Sequence, residues 1–342
     1  MVQFRPETGG LGSETLPATV DFAKSHESPV EGSFWASAFL HGSDNHDYLV
    51  LSHVMAPLPF WPKEKTVYRA SILDITDPSR YKMFEFFAHD PKAFASSGSL
   101  DAQYADYGFR ATNPKDPLSD IRTWSSVPGA EFDLTFSLSS PAILNGGLGH
   151  FQGFTGPLPN APPGPVPAVN QWSMPAGKVV SGHIVIDGAK VTVDADKSLT
   201  WYDRQWGVAP FDWTWFQLHL NSGTTDIPMS VWWWKAKDGV KGFATIREDG
   251  GIQKVVPIVS LEPSNRTYTS KLSGNVYPLD WTLVMVDGTK LELSSVREDQ
   301  ELVSPEGEFP AYGGYIEVKG IYGGRQPVTG YGVVEVVPPG SF

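Results

Sequence analysis

The chain has no cysteine, which rules out disulfides, thiolate nucleophiles and cysteine-ligated zinc. No apolar run approaches the ~20 residues that a membrane-spanning helix needs. Lysine and arginine number 26 against 38 aspartates and glutamates, a net charge of −12. The cations form no run, so the basic patch typical of a nucleic-acid binder is missing and no such partner is expected. Familiar active-site signatures are absent too: there is no G-x-S-x-G, no H-E-x-x-H and no phosphate loop. "GGLGHFQG" (146–153) has Gln152 where a dinucleotide fingerprint needs glycine, and reads as a turn. No cofactor and no metal are expected. The start, "MVQFRPETGG", lacks the apolar stretch of a secretory signal, whereas Asn265-Arg266-Thr267 is an N-glycosylation sequon. A soluble chain is expected, with its compartment left open between cytoplasm and secretion.

Glycine (34) and proline (29) are abundant, and they punctuate short apolar stretches as they do in strand-and-turn proteins. "SFWASAFL" (33–40) and "YLVLSHVM" (48–55) flank a polar loop and predict a hairpin. Similar segments recur to "GYGVVEVV" (330–337), with Asp187-Gly188 and Asp287-Gly288 as hairpin turns. A short helix fits only within 14–26 or 78–90. The expected fold is therefore all-β, two consecutive antiparallel lipocalin-like barrel or sandwich units, 1–195 and 196–342. The Pro/Gly-rich stretch 153–170 is a long loop, either a lid over a ligand or a surface excursion. His41 and His46, with Asp44 and Asp47 nearby, read as a polar loop.

Eight of the 12 tryptophans lie between Trp172 and Trp234. Each indole N–H needs a partner when buried, so a packed core is a poor use for so many, and a site gripping a flat unsaturated ligand is a better one. Strand parity divides "TWYDRQWG" (200–207) into Trp201, Asp203 and Gln205 on one face and Tyr202, Arg204 and Trp206 on the other. It likewise places Trp213, Trp215, Gln217 and His219 together, opposite Thr214, Phe216 and Leu218. This mixed face suggests a ligand-lined interior. Asp203, Gln217 and His219 are the candidate catalytic groups; Trp35, Trp172, Trp201, Gln205, Trp213, Trp215 and Trp233 are candidate substrate contacts. Asp203 among indoles would be partly desolvated, which favours its proton-carrying form. Arg204 reads as a pin for the strand, and Glu335 as a buried acid pairing with it. Tyr315, Glu317 and Lys319 read as an exposed outer face.

"GHIVIDG" (182–188), "TWYDRQWG", "WTWFQLHL" (213–220) and the closing "GYGVVEV", with "SFWASAF" near the start, together resemble the lipocalin-like hydroxyneurosporene synthase superfamily. That superfamily includes bacterial carotenoid hydratases, the fungal kievitone hydratase, and fungal Diels–Alderases and hetero-Diels–Alderases. The resemblance implies two β units with a ligand pocket in or between them. For the carotenoid hydratases it implies polyene protonation by the motif aspartate and the aromatic residue two before it, here Asp203 and Trp201. The upstream His and Trp of those enzymes meet Gln171-Trp172-Ser173 in this chain, which keeps the Trp and lacks the His. For the fungal cyclases it implies that the pocket folds diene onto dienophile, with orientation supplying the catalysis. The leading expectation is a cofactor-independent pericyclase of fungal secondary metabolism acting on a small lipophilic unsaturated substrate. In a hetero-Diels–Alder reaction, acid-assisted loss of water would first create the heterodiene, with Asp203 or His219 carrying the proton. The alternative is a hydratase or dehydratase with Asp203 as acid, and the third reading is a lipocalin-like carrier.

Overall fold

The computed structural model describes residues 4–7, 20–26, 32–56, 66–88, 99–152, 168–207, 212–223, 225–236, 239–248 and 251–339. The stretches 153–167 and 14–19 lie outside them, while the described end of the 14–26 segment carries a short 3-10 turn, Lys24–His26. The chain forms two units: Met1–Ala142 with Asn170–Gly207, and Ile143–Val169 with Val208–Phe342. The division thus falls at Gly207 and not near residue 195, and the "TWYDRQWG" strand belongs to the first unit. The reason is pairing: this strand lies antiparallel against "GSFWASAFLH", some of whose residues precede it by about 160 positions.

The first unit contains β1 (Gly32–His41), β2 (Asp47–Ala56), β3 (Thr66–Asp74), β4 (Tyr81–Ala88), β5 (Asp101–Tyr104), β6 (Tyr107–Ala111), β7 (Asp120–Ser125), β8 (Phe132–Ser137), β9 (Val169–Ile186) and β10 (Leu199–Gly207). Their order in the sheet is β4-β3-β2-β1-β10-β9-β8-β7-β6-β5. Within 78–90, where the sequence allows a short helix, Tyr81–Ala88 is a strand, because its residues complete the ladder to β3, from Thr66↔Ala88 to Leu73↔Tyr81. The sheet rolls onto itself: Ser52 on β2 hydrogen-bonds Tyr107 of β6 (2.5 Å) and Thr123 of β7 (2.7 Å). β3 is buried at every position and β2 at every position but its first, so these strands are covered on both faces. β7 and β8 alternate buried and half-buried residues. The Asp187-Gly188 hairpin forms as expected, with φ of 50° and 79° at its two central residues.

The second unit contains β11 (Trp213–Ser222), β12 (Thr225–Ala236), β13 (Gly239–Arg247), β14 (Gln253–Pro263), β15 (Asp280–Met285), β16 (Lys290–Ser295), β17 (Ala311–Tyr322) and β18 (Gln326–Val337). Each pairs with the next, and β18 returns to β11, closing an eight-stranded up-and-down barrel. Its lumen is a packed apolar core of Phe216, Leu218, Leu220, Met229, Val231, Ile246, Trp281, Leu283, Leu293, Ile316 and Val334. This corrects the expected ligand-lined interior. Parity grouped the residues of β11 rightly, but the lipophilic face of that strand, Phe216 with Leu218, is the one turned inward.

Candidate functional site

On β10 the alternation divides the motif as its period of two requires. Asp203 is 4% exposed. Its Oδ1 accepts from the Ser173 hydroxyl and its Oδ2 from the Gln171 amide, both on β9. Trp35 of β1 sits directly opposite Asp203 in the register, and Trp201 opposite Ser37. Directly opposed residues of a sheet share a face, so Trp35, Trp201 and Asp203 are brought together, with half-buried Gln205 at the open end of the strand. The Trp35 indole N–H donates to Ser37 (2.7 Å).

The same register level extends across three further positions: Asp203↔Trp35↔His53↔Arg69↔Glu85. All five are buried. Arg69 Nε donates to His53 Nδ1 (2.9 Å) and its Nη1 lies 3.6 Å from Glu85 Oε2. Burial, reinforced by the Arg69 charge, holds the His53 imidazole well below its ordinary pKa, so it is neutral. His53 Nε2 in turn meets the Ser33 hydroxyl at 2.6 Å. The sequence reading missed Ser33, His53, Arg69 and Glu85. The available signal was one ionisable residue in the middle of each of three apolar strands, "LSHVM", "VYRAS" and "MFEFF".

The opposite face of β10 is structural. Arg204 is fully buried; its Nε donates to the Ser25 carbonyl (2.8 Å), and its Nη1 to the carbonyls of Ser33 (3.3 Å) and Gln205. Its guanidinium lies over the rings of Phe34 (4.2 Å) and Trp206 (5.0 Å). Burial lowers its pKa to about 9. The pin expected from the sequence is therefore present. Glu335, read from the sequence as a buried acid, accepts from Trp213 Nε1 (3.1 Å) within the second unit. Trp172 belongs to this face also. It lies one residue out of phase with Gln171 and Ser173, donates to Ser25 Oγ (3.1 Å), and packs on Phe22, His26 and Tyr202.

His26 completes that cluster. Its Nδ1 hydrogen-bonds the Pro117 carbonyl (3.0 Å), which fixes the proton there, so Nε2 accepts from the Tyr202 hydroxyl (2.7 Å). Desolvation lowers its pKa to about 3 from an ordinary 6.5. Between those values the unfolded chain binds a proton that the folded chain does not, so the His26 contribution to stability is complete above about pH 6.5 and is lost as the pH falls towards 3. One such group gives a slope of about 1.4 kcal/mol per pH unit. Urea denaturation midpoints should fall between about pH 6 and 4, and His26→Gln should flatten that fall by about one proton. An unchanged slope in the variant would show that His26 does not titrate in this way.

The second unit holds the remaining candidates. Trp213, Trp215, Gln217 and His219 line the outer face of the barrel wall and are nonetheless buried. Trp215 donates to Ser230 (2.9 Å), while His219 Nδ1 pairs with Asp226 (2.9 Å) and its ring stacks on Tyr331 (5.1 Å). Gln217 stands between Ser230 and Val333 in the register. Trp233 is out of phase with them and packs, half-buried, against the lumen core. Tyr315 on β17 is buried, against the expectation of an exposed face, while Glu317 and Lys319 are exposed. In the His41 and His46 loop each imidazole Nδ1 hydrogen-bonds a carboxylate, His41 to Asp47 and His46 to Asp74, both at 2.8 Å. Among the described residues, no three His, Asp or Glu side chains gather as a metal site would need, and no helix is long and apolar enough to cross a membrane.

A family model for AttH-like proteins matches residues 57–337. The chain belongs to the AttH-like family. It is 33% identical over 340 residues to kievitone hydratase of Fusarium solani subsp. phaseoli, covering 98% of this chain and 90% of that protein. To the dehydratase asqC of Emericella nidulans it is 29% identical over 347 residues, covering 98% and 93%. Among solved structures, kievitone hydratase from Nectria haematococca superposes with a TM-score of 0.86 at 31% identity, covering 98% of each chain. An AttH-assigned structure from Nitrosomonas europaea gives 0.70 at 19% identity, covering 95% of this chain and 98% of that one, a likeness of fold. The kievitone hydratase part of the resemblance stands on these matches, and the curated relatives of this AttH-like protein are enzymes that add or remove water. The link to hydroxyneurosporene synthases and Diels–Alderases stays an expectation of the motif.

Proposed function

We propose that this AttH-like protein is a hydratase or dehydratase that moves water on or off a carbon–carbon double bond of a small lipophilic substrate, with Asp203 as the acid and base. The observation that supports it is the setting of Asp203: a buried carboxyl on the strand face that also carries Trp35 and Trp201, with a hydroxyl and an amide donating to its oxygens. In hydration, the neutral carboxyl gives its proton to one alkene carbon and the π pair forms the new C–H bond. The neighbouring carbon becomes cationic, and the faces of Trp35 and Trp201 are suited to stabilise it. Ser173 and Gln171 hold the carboxylate that forms. Water then adds its oxygen to the cation, and the carboxylate takes up the excess proton. Dehydration runs the same steps backwards. General acid–base catalysis of this kind contributes about 10²–10⁴ in rate.

The test is to run the enzyme in heavy-oxygen water on kievitone and a panel of lipophilic alkenes, with the corresponding allylic and benzylic alcohols run for dehydration. Hydration puts one labelled oxygen into the product, and dehydration expels the substrate hydroxyl as water. An unlabelled ring-closed product isomeric with its precursor would favour the cyclase expected from the sequence. Ligand that binds and returns unchanged would favour the carrier.

A further inference from the structure

The buried polar row beside Asp203 has a direction, and it ends on a single hydroxyl. Arginine can only donate, so the 2.9 Å contact from Arg69 Nε makes His53 Nδ1 an acceptor. A neutral imidazole whose Nδ1 accepts carries its proton on Nε2, and that proton points at Ser33 Oγ 2.6 Å away. Ser33 Oγ therefore accepts from His53, and its own hydrogen is directed elsewhere. Ser33 is half-buried where its neighbours Phe34 and Trp35 are buried. It faces Gln205 in the register, one diagonal step from the Asp203–Trp35 pair and on the same face. Diagonal neighbours on adjacent strands are separated by roughly 7–8 Å between Cα atoms, so a small substrate acted on by the carboxyl lies close to the hydroxyl.

We propose that Ser33 is a substrate-binding residue whose hydroxyl, aimed by His53 and Arg69, donates a hydrogen bond to an oxygen of the substrate close to the reacting double bond. The substrate of the site is accordingly an oxygenated unsaturated compound, a ketone, phenol or ether, and not a hydrocarbon polyene. This deepens the hydratase reading of the same site and rests on it for the location of the reacting carbon. His53 acts as a positioning residue: it removes one of the orientations open to the serine hydroxyl, and Arg69 fixes the tautomer that allows it to do so.

Binding, not turnover, tests this. Chalcone and stilbene are flat unsaturated probes that differ by one carbonyl, and tryptophan fluorescence titration gives the affinity of each for the full-length protein. Wild type should prefer chalcone by roughly tenfold, the range expected of one hydrogen bond. Ser33→Ala should abolish the preference while leaving stilbene affinity unchanged. Ser33→Thr, which keeps the hydroxyl, should retain it, as should His53→Gln, whose amide can accept from Arg69 and donate to Ser33. Equal affinity of the two probes in wild type, a preference that survives Ser33→Ala, or failure of wild type to bind either probe would overturn the proposal. Because the readout is a ratio of affinities, a negative heavy-oxygen experiment would remove the reaction and leave this result standing, and the converse also holds.

Discussion

Asp203→Asn should lower kcat by about 10²–10⁴ while leaving KM and the melting temperature close to wild type. The substitution is nearly isosteric, and the two partners of Asp203 can accommodate an amide. Gln171 Nε2 can continue to donate to the remaining carbonyl oxygen, and the Ser173 hydroxyl can turn to accept from the new NH2 group. Trp35 and Trp201 on the same face are untouched, so substrate affinity and fold should persist. The transferable proton does not. Steady-state kinetics on whichever substrate shows water transfer, with a thermal melt alongside, gives both readouts. Turnover at the wild-type rate would remove Asp203 from the chemistry and with it the proposed mechanism. A carrier would show no sensitivity to this change, because shape and apolar contact survive it.

The prominence of Asp203 in the sequence came from local information, and so did what could be read correctly around it. Period-two alternation needs nothing beyond a strand, and it separated Asp203 and Trp201 from Tyr202 and Arg204. It also grouped Trp213, Trp215, Gln217 and His219 rightly. Alternation cannot say which face of a strand is the inside when both are buried, and β11 is such a strand: Phe216 and Leu218 are as deeply buried as Gln217 and His219. Tryptophan and polar side chains suggested a lumen, yet the lumen went to the aliphatic face, where Phe216 and Leu218 join Leu283, Leu293 and Ile316 in one packed apolar core.

What could not be read was register between distant strands. Gln171 and Ser173 reach Asp203 from about 30 residues away, and Arg69 meets His53 because β3 lies beside β2 with no slip. A one-residue shift in either ladder would turn these groups to the other face. The unit boundary was misplaced for the same reason, since nothing in "TWYDRQWG" indicates that its hydrogen-bonding partner is β1. The mid-strand ionisable residues His53, Arg69 and Glu85 were the one local clue to a polar row. Three buried charges or near-charges are difficult to retain in apolar strands unless they meet.

Arg204 carries the largest expected effect on stability. Arg204→Met should destabilise the protein by about 3–5 kcal/mol. The methionine fills much of the aliphatic space and keeps contact with Phe34 and Trp206, so the loss is almost entirely polar. The Ser25, Ser33 and Gln205 carbonyls all lose a charged donor at once. An acceptor left unsatisfied in a buried place costs about 1–3 kcal/mol. Geometry makes local rescue difficult: Gly32 has a φ of +103°, and a Cβ there would clash with the Gln205 carbonyl and the Trp206 backbone. The backbone at this end of β1 thus cannot shift towards β10 to find another partner. Arg204→Lys should recover only part of the loss, because one ammonium cannot reproduce the planar fork that reaches three carbonyls. For a unit of this size each kcal/mol corresponds to about 2–4 °C in melting temperature, so the methionine variant should melt roughly 6–20 °C below wild type. A melt within about two degrees of wild type, near the size of a neutral surface change, would show that Arg204 is not the pin of the strand. Because the guanidinium points away from the Asp203 face, whatever folded fraction of Arg204→Met remains at low temperature should keep its water-transfer activity, and an active-site titration separates that outcome from a direct catalytic role.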